Sequence, residues 1–126
     1  MAQGSQERIR AREFHFNALA QADINAVDGW GQTALHFAAA KGFDKGTSLL
    51  ITHNANINCI SGPNYIPITR DGHYTPLHFA AEYGHSNIVK ILIEHGADKN
   101  LKTQLSKTAL DLAREKNNQD IVNLLA

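Results

Sequence analysis

"TPLHFAAEYG", residues 75–84, is the stretch on which the reading of this 126-residue chain turns. Thr75 followed by Pro76 is a helix start. Thr caps the first N–H groups, and Pro in the first turn lacks only an N–H that had no partner there. Leu77, Ala80 and Ala81 follow at i, i+3 and i+4, an apolar stripe of helical period. Gly84 ends the helix, because Gly and Asn tolerate the left-handed conformation that closes one.

The same ten residues recur with small changes. "TALHFAAAKG" runs from Thr33 and "TALDLAREKN" from Thr108, with Gly42 and Asn117 in the place of Gly84. Thr75 and Thr108 are 33 residues apart, whereas Thr33 and Thr75 are 42 apart. A second apolar run trails each anchor, at Leu49-Leu50, Ile91-Leu92 and Leu124-Leu125. Upstream, "ADIN" closes at Asn25, "ANIN" at Asn58 and "ADKN" at Asn100. The Thr follows eight residues after Asn25 and Asn100 but seventeen after Asn58. The nine extra residues therefore lie between Asn58 and Thr75, where "ISGPNYIPI" (60–68) stands. Two short helices and a polar turn cannot bury an apolar face alone, so the repeated unit implies a stacked solenoid.

On these motifs the chain resembles the ankyrin repeat family. The T-P-L-H, A-A-x-x-G-H and G-A-D-x-N elements carry the likeness over residues 26–126, with a partial unit before them. The resemblance implies an all-α fold, a solenoid of helix–turn–helix units joined by β-hairpin fingers, within one domain over 1–126. We place the partial unit at about 5–25, repeats at 26–58, 68–100 and 101–126, and an enlarged finger loop at 59–67. The resemblance further implies a non-catalytic protein–protein interaction module that holds a partner protein with its finger loops and concave inner-helix face. On that expectation the contact residues are Trp30, Gln32, Tyr65, Ile66, Arg70, His73 and Tyr74, with Phe37 and Phe79 either in the groove or in the core. The alternative is a structural or targeting fragment of a larger multidomain protein. A host-directed bacterial effector and a eukaryotic scaffold would read alike here.

The long loop interrupts the register without ending it, so both of its flanks belong to one stack. Insertions on solenoids gather on one face, often the binding face. Tyr65, Ile66 and Ile68 either face a partner or fold back as a lid. Trp30 either anchors a partner, as Trp does in many interfaces, or packs on the next finger.

Three departures from the repeat carry expectations. Gly46-Thr47 stands where Ile88-Val89 stands one repeat later. A mid-helix Gly costs about 1 kcal/mol relative to Ala, so the helix over 44–53 should be the softest. His73 and Ser106 replace the Gly of Gly31, which implies remodelled turns before those helices. Asp111 replaces the His of His36 and His78, and Arg114, Glu115 and Lys116 make the last unit polar, as a terminal unit needs to be.

The remaining chemistry is read as structural. Twelve Lys and Arg balance twelve Asp and Glu, so no field favours nucleic acid or an anionic membrane. No window reaches eighteen apolar residues and no leader is visible, so we expect no membrane insertion. The single cysteine, Cys59, suits a reducing, cytoplasmic setting and a monomer without disulfides. We read it as a small apolar filler. His36 and His78 recur one per unit. Helices packed 8–10 Å apart hold them too far from each other to share a metal, so each should bond locally. No nucleophile, metalloprotease or phosphate-loop motif is present. We therefore expect no cofactor, no metal and no catalysis. Arg8, Arg10 and Arg12 read as a solvated N-terminal face. Asn25, Asn58 and Asn100 occupy the position sometimes hydroxylated in the family, though closing the finger suffices to explain them.

Overall fold

The computed structural model describes residues 23–63 and 71–126. All but residues 23–25 of the proposed unit at about 5–25, and three candidate contact residues, Tyr65, Ile66 and Arg70, lie outside the described residues. Six helices lie wholly within the described residues: α1 (Ala34–Lys41), α2 (Asp44–Thr52), α3 (Pro76–Glu82), α4 (Ser86–Glu94), α5 (Ala109–Glu115) and α6 (Gln119–Leu125). They pair as α1 with α2, α3 with α4 and α5 with α6. The first members pack in a row, α1 on α3 on α5, and the second members in another, α2 on α4 on α6. The described part is thus an all-α, two-layer stack in register with the sequence repeat.

Each inner helix starts the same way. The hydroxyls of Thr33, Thr75 and Thr108 accept from the backbone N–H three residues on, and the side chain at that position accepts in return from the Thr N–H. This reciprocal cap satisfies two otherwise orphaned donors. Small residues then let the layers close: Ala38, Ala39, Ala80, Ala81 and Ala113 are buried among Leu35, Leu50, Leu77, Ile88, Leu92 and Ile121.

The helix ends are equally regular. Gly42, Gly84 and Asn117 all take the left-handed conformation after an inner helix, and Asn54 and Gly96 take it after α2 and α4. At Gly42 there is a second demand. A Cβ there would lie 2.7 Å from the His85 ring, which reaches back from the next repeat to the Ala40 carbonyl at 3.1 Å.

The expectation of remodelled turns at His73 and Ser106 fails. Their φ values of 57° and 64° match the 72° of Gly31. The turn keeps its left-handed residue and carries it on a polar side chain, which is uncommon for non-Gly residues but most tolerated by small or polar ones.

Among the described residues no segment is assigned as strand. The fingers nevertheless close with paired hydrogen bonds. Asp28 N–H donates to Gln32 O (2.9 Å), and Thr103 N–H to Lys107 O (2.8 Å). Returning bonds run from Gln32 N–H to Asp28 Oδ1 (2.9 Å) and from Lys107 N–H to Thr103 Oγ1 (3.2 Å). In the middle finger the same pair of bonds joins Ser61 and Tyr74: N–H to O at 2.8 Å and N–H to Oγ at 2.8 Å. Asp28, Ser61 and Thr103 are therefore equivalent. That register sets the nine inserted residues just after Ser61 and before Asp71, somewhat later than the spacing of motifs suggested.

Candidate functional site

The fingers are joined to each other as well as to their helices. Gly62 N–H donates to Trp30 O (2.8 Å), His73 N–H to Gly62 O (3.0 Å), and Gln104 N–H to Gly72 O (2.8 Å). Gly31 and Gly62 approach so closely that a Cβ on Gly31 would sit 2.5 Å from Gly62 N. Asp71, which is buried, accepts from Leu105 N–H at 3.0 Å and so ties the second finger to the third. A hydrogen-bonded row thus runs across all three fingers at one edge of the stack.

On this row two large apolar side chains remain in solvent. Trp30 is 48% exposed and Leu105 49%. Both lie three residues before their Thr anchor. Gly72 holds that position in the middle finger and is buried, with the Pro63 carbonyl 2.9 Å from where a Cβ would stand. Ile60, also exposed, precedes the stem of the enlarged finger. Gln32 and His73 are half-buried on the same row.

Tyr74 is corrected as a contact residue, and of its two alternatives Phe79 takes the core. Tyr74 and Phe79 are core residues, at 1% and 3% exposure. They stack at 4.8 Å between ring centroids, and the Phe79 ring meets the His36 ring edge-on at 5.8 Å. Phe37, the register partner of Phe79, is 52% exposed, with the Lys41 ammonium 5.7 Å from its ring centroid and Phe43 at 6.1 Å. Equivalent sequence positions therefore do opposite things. Phe79 has the His36 ring of the preceding repeat against it, and Phe37 has the Lys41 ammonium and the Phe43 ring of its own hairpin beside it.

The histidines resolve into local bonds. Thr33 N–H donates to His36 Nδ1 (3.0 Å), so the ring proton sits on Nε2 and is donated to Tyr74 O at 2.6 Å. His78 repeats this, with Thr75 N–H at 3.0 Å and Leu101 O at 2.9 Å. Each histidine caps its own helix and reaches forward into the next repeat. Burial pushes His36 down to about 4 and lowers His78 as well. Asp111 keeps the cap through Thr108 N–H (2.9 Å), a bond that holds its carboxyl below the usual range.

Cys59 lies against the same network, 3.2 Å from Thr33 Oγ1, and burial pushes its thiol up, away from the reactive thiolate. The recurring Asn25 and Asn58 share one geometry. Asn25 Oδ1 accepts from Asn56 N–H (2.8 Å) and Asn58 Oδ1 from Asp98 N–H (2.7 Å), each crossing to the next repeat.

Sequence reasoning missed the connection between finger and inner helix. The Tyr74 hydroxyl donates to the Glu82 carboxylate, and the Lys107 ammonium donates to Glu115 at 2.8 Å. Both pairs span eight residues and occupy one register position. The only available signal was that spacing, which joins different residue types in the two repeats.

A family model of ankyrin repeats (3 copies) matches residues 11–103 and 61–126. The chain belongs to the ankyrin repeat family. Ankyrin repeats are generally protein–protein interaction modules, and the family is typically non-catalytic. No curated protein matches the chain. Among the described residues no three His, Cys, Asp or Glu side chains converge on a common point, and no helix is long and apolar enough to cross a membrane.

Proposed function

We propose that this chain is a non-catalytic protein-binding module that offers its row of fingers and the open side of its first inner helix to a partner protein. The observation that carries this reading is the exposure of Trp30 and Leu105 on a backbone already fixed from finger to finger. Large side chains held on a rigid frame lose little freedom on binding, and interfaces draw most of their energy from a few such anchors. Among the described residues, the burial of Tyr74 and Phe79 leaves Trp30, Gln32, Phe37, His73 and Leu105 as the candidate face. A reducing compartment such as the cytoplasm fits the lone, buried thiol of Cys59.

The test is affinity capture with the full chain as bait, in parallel with a Trp30→Ala/Leu105→Ala variant of unchanged circular dichroism and melting temperature. The expected outcome is one or more proteins held by the native chain and lost from the variant. Identical capture by both baits would rule out this face.

A further inference from the structure

The three repeats differ in one respect that bears on what the module holds. In the second and third, a donor on the finger is tied to a carboxylate at the end of the inner helix: Tyr74 to Glu82, and Lys107 to Glu115. The corresponding residues of the first repeat are Gln32 and Ala40. The Ala40 side chain has no acceptor to offer, and its carbonyl is taken by the His85 ring, so the finger and the helix of this repeat are not tied side chain to side chain at that position. Beside the missing tie, on the same face of α1, lie the exposed Phe37 ring and the Lys41 ammonium above it. Trp30, two residues before Gln32, is exposed on the finger. Among the described residues the one salt bridge joins Lys107 and Glu115, so Lys41 has no carboxylate partner there.

Building on the protein-binding reading, we infer that the first repeat is the specificity pocket: the untied space between its finger and α1 accepts an apolar side chain of the partner, with an adjacent partner carboxylate paired to Lys41. The argument is one of complementarity. The other two repeats carry their own donor and acceptor across the gap. The first offers the exposed Phe37 ring, a finger amide and a cation with no carboxylate partner among the described residues, a surface that a partner's apolar side chain and carboxylate would complement. Partners with basic residues beside the apolar one meet Lys41 with like charge and are rejected, which gives selectivity as well as affinity.

The experiment is selection of random twelve-residue peptides displayed on phage against the full chain, followed by titration of the enriched peptides. Trp30 is the only tryptophan and so reports binding through its emission. Enriched peptides are expected to pair an apolar residue with a neighbouring Asp or Glu. Their affinity should fall about tenfold or more with Phe37→Ala, the cost of a lost anchor. Lys41→Glu should weaken them and shift the selection toward Lys- and Arg-bearing sequences. A third variant, Gln32→Lys/Ala40→Glu, rebuilds the tie of the third repeat. It should keep the fold and its melting temperature while excluding the peptide. The inference is overturned if the enriched peptides lack the carboxylate, or if all three variants bind as the native chain does. Peptides lost with Leu105→Ala but not Phe37→Ala would sink the pocket and leave the protein-binding reading standing. A selection that enriches nothing would remove both.

Discussion

Helices α2 and α4 occupy one position in successive repeats and are built to different standards. At the two sites that face the stack, α4 places Ile88 and Val89, both fully buried. Helix α2 has Gly46 and Thr47 there. Thr47 is buried as completely as Val89, and its hydroxyl has no hydrogen-bond partner among the described residues. Thr and Val have almost the same shape, so the backbone can hold the same geometry while the energetics differ. The comparison teaches that register fixes where a helix sits, and side chains decide how firmly.

The largest expected effect comes from transplanting the weakness. Ile88→Gly removes a buried side chain and adds a mid-helix glycine, and should cost about 4 kcal/mol in urea denaturation. If the loss is below about 1 kcal/mol, the contrast between the helices is not energetic.

Acid should come next, and it acts on the histidines that link these same repeats. The His36 value of about 4 lies below the 6.5 of the unfolded chain. Between those limits the unfolded state holds more protons, so stability is complete above about pH 6.5 and declines as pH falls toward 4. At about 1.4 kcal/mol per unit, His36 alone accounts for up to about 3 kcal/mol. His78 moves in the same direction. Urea midpoints at pH 7, 5.5 and 4.5 would measure the slope. His36→Asn should flatten it.

Repairing the weak helix should give a gain. Thr47→Val removes a buried hydroxyl that has no partner among the described residues, and should stabilise by about 1–2 kcal/mol. Gly46→Ala should add up to about 1 kcal/mol. Amide exchange offers a test without substitution: residues 44–52 should exchange faster than 86–94, and the reverse order would refute the comparison. The smallest effect is expected at His73→Gly, where relief of a left-handed non-Gly residue should be worth roughly 0.5–1 kcal/mol in thermal melting.

Much of this architecture could be read from the chain, and what escaped has identifiable causes. The Thr anchors, Gly42, Gly84 and Asn117 were legible because caps and left-handed positions restrict residue type. Ser106 and His73 were not, since the turn around them forces a conformation their own preferences would not select. The equivalence of Asp28, Ser61 and Thr103 was hidden because three different side chains supply one oxygen acceptor. Tyr74 was placed on the contact face, and Phe79 left between groove and core, because sequence spacing assigns a ring to a position but not to a neighbour. Only the packed stack brings the His36 ring over Phe79.

The stem of the middle finger has one more implication. Ser61 and Tyr74 clasp each other beneath the inserted residues as Asp28 and Gln32 do beneath a tip of three residues. The clasp, with Gly62 and Gly72 bonded to the neighbouring fingers, gives the enlarged finger the same footing as a short one. It works as a socket, into which evolution or an engineer can plug a new segment while the helices below keep their places.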